Sequence, residues 1–155
     1  MKLINKLSIV VSVYNEEAVL DKFYETILPI LEEIDSDYEL IFVNDGSRDA
    51  SPAILDRLAM DSKKVKVIHF SRNYGHEAAM IAGIDYSSGD GIVCMDADLQ
   101  HPVECIPQIL DTFNQGYEVI SMVRTANKSA GFVKNLTSGL FYNCLLYTSP
   151  SPRDR

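Results

Sequence analysis

The feature that most constrains the fold is a regular alternation of two hydrophobic patterns. Short runs rich in apolar and β-branched residues are separated by segments in which apolar residues recur every three or four positions. The runs predict four strands, over Leu7 to Val13, Tyr38 to Val43, Val65 to Phe70 and Gly91 to Met95. Strands that alternate with helices of ten or more residues form βαβ units with right-handed crossovers. We therefore predict an α/β fold with a doubly wound, mostly parallel sheet and the order 3-2-1-4 for the first four strands.

The segments between the strands predict helices with recognisable beginnings. Asn15 is a candidate cap for the first helix, and Pro29 predicts a kink or a break within that helix. The other predicted elements are a helix that begins near Pro52 with Asp49 or Ser51 as its cap, helices over about 76–86 and 102–114, and a fifth strand over Glu118 to Val123.

Each predicted strand is followed by a polar motif. These motifs are Tyr14-Asn15-Glu16, Asn44-Asp45-Gly46, Arg72-Asn73-Tyr74-Gly75 and Asp96 to Pro102. Parallel strands bring their carboxyl ends to one rim of the sheet, and ligands of such sheets bind there, at the switch point of the strand order. We therefore expect a functional site between the ends of strands one and four.

The last of these motifs contains two carboxylates one residue apart, Asp96 and Asp98. Like charges at this spacing repel each other unless a positive group lies between them. Hard divalent ions such as Mg2+ or Mn2+ take carboxylate and amide oxygens, often together with substrate phosphates. The motif therefore predicts a metal-and-phosphate site, and a solvated turn before a helix is the simpler alternative.

The first strand–helix turn lacks the glycines of a dinucleotide-binding fold, which needs Gly-x-Gly-x-x-Gly at that place. A phosphate on this turn would meet Glu16 and Glu17, so we expect a metal on Asp98 to carry the phosphates. Glu16 and Asp45 are suited to accept hydrogen bonds from a nucleobase and a ribose. Arg72 is a candidate partner of the diphosphate, or of any surface acid.

The charge and the cysteine content argue against several classes of function. The net charge of −8 argues against a nucleic-acid partner, since such proteins carry basic patches. The three cysteines have no CxxC spacing, and Cys94 is predicted to be a small buried hydrophobe. No signal peptide and no apolar run of about 20 residues is evident, so we expect a cytoplasmic chain without a membrane span.

The ordered motifs resemble the N-terminal signatures of inverting family 2 glycosyltransferases with the GT-A fold. The carrying segments are Tyr14-Asn15-Glu16, Val43 to Asp49 and Asp96 to Gln100. Phe70 to Gly75, Ala78 to Gly83 and Gly89-Asp90 resemble the branch that uses polyprenyl or dolichyl phosphate. The resemblance runs from about Leu7 to Tyr142. It implies transfer of a hexose from a nucleotide sugar, with UDP-glucose preferred over GDP-mannose, to a lipid phosphate at the cytoplasmic side of the membrane.

The resemblance also implies roles for single residues. Tyr14, Glu16 and Asp45 would contact the base and ribose, and Asp96 would lie near the ribose or sugar. Asp98 and Gln100 would hold Mg2+ or Mn2+ on the diphosphate, so that Asp96 and Asp98 are the candidate catalytic residues. The chain departs from the family at Ser12-Val13, where Pro-Thr or Pro-Val is frequent, and at His76, where Lys is frequent.

The resemblance further implies that the acceptor half of the site lies beyond the end of this chain. We expect residues 1–146 to be the incomplete N-terminal part of a nucleotide-sugar-binding domain, and residues 147–155 to be a disordered, non-native tail. Two alternatives stay open. One is a fragment that binds a nucleotide sugar without turnover. The other is a haloacid-dehalogenase-like phosphatase, although that fold places its Asp-x-Asp pair on the first strand.

Overall fold

The computed structural model describes residues 4–98 and 103–122. Residues 1–120 belong to one compact unit and residues 121–155 to a second, of which only 121 and 122 are described. In order, the elements are β1 (Lys6–Val13), α1 (Leu20–Glu33), β2 (Asp37–Asn44), α2 (Ser51–Asp61), β3 (Val65–His69), α3 (His76–Tyr86), β4 (Gly91–Asp96), a 3-10 turn (Val103–Cys105) and α4 (Ile106–Asn114).

The four strands form a parallel sheet in the order β3-β2-β1-β4, as predicted. Strands β2 and β3 follow β1 on one side of the sheet, and β4 pairs with β1 on the other side. The register sets Ser12 opposite Val43 on one side and Asp96 on the other. The switch point therefore lies between the carboxyl ends of β1 and β4.

Side chains on alternate positions of β1 serve two cores. Ile9, Val11 and Val13 pack with the buried stripes of α1, α2 and α4 on one face. Val10 faces the other side and packs against α3. A Cβ added to Gly83 of α3 would lie 2.2 Å from Cγ1 of Val10, so only glycine permits this close approach.

A buried carboxylate fastens the amino ends of the strands. Glu39 is 2% exposed and accepts hydrogen bonds from Lys66 Nζ at 2.7 Å and Lys6 Nζ at 2.9 Å. Ser8 Oγ and the Ser88 backbone N–H also donate to it, at 2.6 and 2.7 Å. Burial raises the pKa of Glu39, but these donors outweigh burial and hold the pKa well below its usual range.

The first helix corrects two expectations. It begins at Leu20, with Val19 rather than Asn15 as the N-cap residue. It also continues through Pro29, so the predicted break is wrong. Because Pro29 has no N–H, the carbonyl of Glu25 lacks its usual helical hydrogen-bond donor. Both residues are exposed, so water can donate to that carbonyl instead. The buried stripe on the opposite face then keeps the helix continuous.

The predictions for Cys94 and for the fifth strand are also wrong. Helix α3 packs on β1 and β2, and on the same face of the sheet in β4 Cys94 is exposed and Ile92 is 41% exposed. Residues 118–122 form no strand, and Val119 is 88% exposed. A mostly apolar run makes a strand only where a neighbouring strand offers hydrogen bonds, and no described strand pairs with this segment.

Candidate functional site

A cavity of about 340 Å3 opens at the carboxyl ends of β1 and β4. It is lined by Ser12, Val13, Tyr14, Glu16, Asp45, Asn73, His76, Asp96, Ala97 and Asp98. A larger depression of about 510 Å3 lies at the opposite rim, between the end of α1 and the beginning of β2. Its only charged lining residues are Glu32 and Lys64. The four polar motifs converge on the smaller cavity, which is therefore the candidate site.

The turn after β1 is locked against the turn after β2 by hydrogen bonds. Asn15 has a positive φ of 56°, and its Oδ1 accepts the Arg48 N–H at 2.8 Å. The backbone N–H of Asn15 donates to Ser47 Oγ, and that of Glu16 donates to Ser51 Oγ, both at 2.9 Å. This turn thus places Tyr14 and Glu16 at the cavity wall.

A second pair of contacts strengthens the same junction. The Glu17 N–H donates to Asp49 Oδ2 at 3.1 Å, and the Ala50 N–H donates to Glu17 Oε2 at 2.7 Å. Helix α2 has Ala50 as its N-cap residue and no side-chain cap, so the predicted cap by Asp49 or Ser51 is wrong. Asp49 Oδ1 nevertheless accepts the Ser51 N–H at 3.0 Å. Asn15 and Glu17 therefore bind the neighbouring loop instead of beginning α1.

Asp45 is 3% exposed and organises the loop after β3. Its Oδ1 accepts the Tyr74 N–H at 2.6 Å and its Oδ2 accepts the Gly75 N–H at 2.9 Å. An ionised carboxylate has about four lone-pair sites, so each oxygen keeps one for a ligand in the cavity. Asp45 is thus a structural anchor at the predicted binding position.

Gly46 permits the close contact of these loops. Its φ is +67°, and an added Cβ would lie 2.3 Å from the backbone carbon of Arg72. The side chain of Arg72 is exposed and stacks on the Tyr74 ring, 4.8 Å from its centroid. The structure therefore leaves Arg72 outside the cavity lining, and Asn73 occupies the wall instead.

The cavity is strongly negative. Burial raises the pKa of Glu16, and the nearby carboxylates of Asp98, Asp49 and Asp96 raise it further, in that order. A raised pKa means that the charged form of Glu16 is destabilised in this site. A bound cation would relieve that repulsion.

The predicted metal ligands are only partly described. Asp98 lines the cavity, whereas Gln100 and the neighbouring His101 lie outside the described residues. Within residues 4–98 and 103–122, no group of three His, Cys, Asp or Glu side chains has an arrangement that would hold a metal ion. The hard oxygen donors present fit Mg2+ or Mn2+ by chemistry, with substrate oxygens as further ligands.

Ser12 and His76 join the site although no motif indicated them. Ser12 Oγ donates to Asp96 Oδ1 at 2.7 Å and lies 2.9 Å from His76 Nδ1. His76 is the first residue of α3, 64 positions from Ser12 along the chain. The strand register and the direction of α3 bring the three side chains together, so local spacing carried no signal for this contact.

The parallel sheet of order 3-2-1-4 with its helices is the GT-A fold. A solved mannosyltransferase from Pyrobaculum calidifontis, in complex with GDP-Man and Mn2+, has this fold. It matches with a TM-score of 0.53 and 20% identity, over 63% of this chain and 28% of that protein.

The sequence assigns the family. Residues 8–152 match Glycosyl transferase family 2, so the chain belongs to this family. That membership excludes the phosphatase alternative.

Named relatives agree with this assignment. An uncharacterized glycosyltransferase, YkcC of Bacillus subtilis, is 46% identical over 89% of this chain and 43% of its own length. Bactoprenol glucosyl transferase of Shigella phage SfV is 37% identical over 88% of this chain and 45% of its own length. An undecaprenyl-phosphate 4-deoxy-4-formamido-L-arabinose transferase of Proteus mirabilis is 39% identical over 84% of this chain and 40% of its own length. The chain thus spans less than half the length of these relatives.

Proposed function

We propose that this chain is the donor-binding part of an enzyme that transfers a hexose from a nucleotide sugar to a polyprenyl phosphate, with inversion. The observation that carries the proposal is the cavity between β1 and β4, lined by carboxylates from several loops and lacking a glycine-rich phosphate loop. The bactoprenol and undecaprenyl-phosphate transferases among its relatives support a polyprenyl-phosphate acceptor.

The donor side of the site follows from the chemistry of its walls. Tyr14 offers an exposed ring at the cavity edge for a nucleobase, and Glu16 and Asp45 accept hydrogen bonds from the base or ribose. Asp96 accepts from ribose or sugar hydroxyls. We prefer UDP-glucose as the donor, in line with the glucosyl transferase relative, and keep GDP-mannose as the alternative.

Asp98 and Gln100 would hold Mg2+ or Mn2+ beside the diphosphate. The ion would supply neutralisation of the negative charge that develops on the leaving nucleoside diphosphate. In the transfer step, an acceptor phosphate oxygen forms the new bond to the anomeric carbon as the bond to the diphosphate breaks. The nucleophile is already anionic, so the site needs no strong general base.

No helix within residues 4–98 and 103–122 is long and apolar enough to cross a membrane. We propose that the chain works at the cytoplasmic side of the membrane, where a lipid phosphate presents its headgroup. Arg124 and Lys128, which are candidate contacts of that headgroup, lie outside the described residues, as does the predicted tail.

Calorimetric titration tests the donor half of the proposal. We expect binding of UDP-glucose or GDP-mannose that strengthens when Mn2+ is added. Absence of binding for both nucleotide sugars, with and without the ion, would refute it.

A transfer assay on a polyprenyl phosphate tests the acceptor half. Formation of a glycosylated lipid phosphate by this chain supports transfer. Donor binding without transfer supports the second candidate, a chain that binds a nucleotide sugar without turnover.

A further inference from the structure

We propose that Ser12 and His76 act as a positioning pair, which fixes the carboxylate of Asp96 so that its Oδ2 atom faces the nucleotide sugar. The inference rests on the proposed function for the identity of the ligand. The pair itself rests on contacts within the folded chain. Neither residue belongs to the motifs that indicated the site, and the family resemblance gives no role to either.

The contacts form a triangle of polar atoms. Ser12 Oγ lies 2.7 Å from Asp96 Oδ1 and 2.9 Å from His76 Nδ1, and His76 Nδ1 lies 3.2 Å from Asp96 Oδ1. The three residues come from β1, α3 and the end of β4, and all three line the cavity. Ser12 and Asp96 are also direct neighbours in the parallel register, so the sheet holds two corners of the triangle.

The positions of the hydrogen atoms in this triangle follow from which atoms can donate and which can only accept. A carboxylate only accepts, so the single hydroxyl hydrogen of Ser12 points to Asp96. Ser12 Oγ must then accept from His76, which requires a hydrogen on Nδ1. The structure therefore assigns the Nδ1–H form to His76, with Nδ1–H also close to Asp96 Oδ1.

This arrangement uses one oxygen of Asp96 and leaves the other for a ligand. The Ser12 hydroxyl donates to Oδ1, His76 Nδ1 lies 3.2 Å from the same atom, and no group of the described residues hydrogen-bonds to Oδ2. Asp96 is 35% exposed, so Oδ2 is accessible from the cavity. Without the pair, the carboxylate would rotate about its Cβ–Cγ bond, and donor binding would have to restrict that rotation.

The first test measures the histidine in the free protein. At pH 8.5, well above the ordinary imidazole pKa of about 6.5, long-range 1H–15N correlation spectra distinguish the two neutral forms. The His76→Asn spectrum identifies the His76 signals by their loss. We expect the Nδ1–H form in the wild type and a shift towards the Nε2–H form in Ser12→Ala. An Nε2–H form in the wild type overturns the pair.

The second test measures UDP-glucose binding in the presence of Mn2+. Ser12→Ala and His76→Ala should each weaken binding roughly threefold to tenfold, the effect of one hydrogen bond. Ser12→Thr keeps the hydroxyl and His76→Asn keeps an N–H near the Nδ1 position, so both should bind within about twofold of wild type. Glu77→Gln, an exposed neighbour on α3, is the matched control and should bind as wild type does.

The double variant distinguishes a pair from two separate contacts. If Ser12 and His76 act through Asp96 together, Ser12→Ala with His76→Ala should bind about as weakly as the weaker single variant. The proposal would be overturned if the affinity losses of the two single variants multiplied in the double variant. It would also be overturned if Ser12→Thr and His76→Asn bound as weakly as the alanine variants.

The two tests separate this inference from the proposed function. If the wild type binds no nucleotide sugar, the proposed function fails and the donor role of Asp96 fails with it. If the wild type binds UDP-glucose but His76 carries its hydrogen on Nε2, only the positioning pair fails.

Discussion

Replacing Asp45 by Asn should destabilise the chain even when no ligand is present. The Asp45 carboxylate is 3% exposed and holds two backbone N–H groups, those of Tyr74 and Gly75. An amide at this position offers one oxygen, so its NH2 group must face the second N–H. One buried donor then has no acceptor, and the remaining hydrogen bond loses its charge assistance.

The expected cost follows from these two losses. An unsatisfied buried donor costs about 1–3 kcal/mol, and the change from a charged to a neutral acceptor costs about 1 kcal/mol more. The free energy of unfolding should therefore fall by roughly 2–4 kcal/mol, against a typical total of about 5–15 kcal/mol. For a chain of this size the midpoint of thermal unfolding should fall by roughly 5–15 °C.

Denaturant unfolding with Asp35→Asn as the control measures this cost. Asp35 is exposed, so the control makes the same change of charge without the buried contacts. Amide hydrogen exchange at Tyr74 and Gly75 should also accelerate in Asp45→Asn. Equal unfolding midpoints for wild type and both variants would refute the anchoring role and leave Asp45 as a ligand-binding residue alone.

Three further predictions follow from the same structure. Gly46→Ala should destabilise the chain by about 2 kcal/mol or more in thermal unfolding, since its Cβ would lie 2.3 Å from the Arg72 backbone. Gly75→Ala, with open space around it, should cost only the backbone strain of its φ of 100° and ψ of 154°, about 1–3 kcal/mol. Glu39→Gln should destabilise the chain near pH 7, and the difference in unfolding free energy should narrow as the pH falls below about 4.5. The lowered pKa of Glu39 stabilises the fold fully only while the carboxylate is charged in both states, and this stabilisation declines as the unfolded state becomes protonated. A constant difference between pH 3 and 7 would contradict this. Asp98→Ala should lose at least tenfold in the Mn2+-dependent part of UDP-glucose affinity in calorimetry, and EDTA should have the same effect on the wild type; affinity that is unchanged by both treatments would exclude a metal at this residue.

The strand order could be predicted because hydrophobic pattern and connection length determine it. Four apolar runs joined by helices permit few arrangements, and the 3-2-1-4 order is confirmed. The helix predicted over about 76–86 is also confirmed, as α3 (His76–Tyr86). Cys94 was misplaced for a different reason: an apolar run of strand residues indicates burial, but exposure depends on which helix covers each face, and α3 covers β1 and β2.

The carboxylates of the candidate site could be predicted from the sequence, but the hydrogen bonds that hold the surrounding loops in place could not. Asn15, Asp49 and Ser51 have the residue types of helix caps, and each has instead, or in addition, a partner in another loop. Such contacts span more than 30 positions in sequence, so no local spacing predicts them. The sequence therefore indicated which groups carry charge, whereas the fold decides which of them already have hydrogen-bond partners.

This distinction changes the interpretation of the acidic cavity. The Asp45 oxygens each accept a backbone N–H, and Oδ1 of Asp96 accepts the Ser12 hydroxyl, with His76 Nδ1 at 3.2 Å, so these carboxylates are oriented before any ligand arrives. Glu16 has the opposite character, because burial and the neighbouring carboxylates raise its pKa. A site with fixed carboxylates around an electrostatically destabilised one gains free energy from a cation or from ligand N–H and O–H donors. A nucleotide sugar would thus bind to carboxylates that the loops have already oriented.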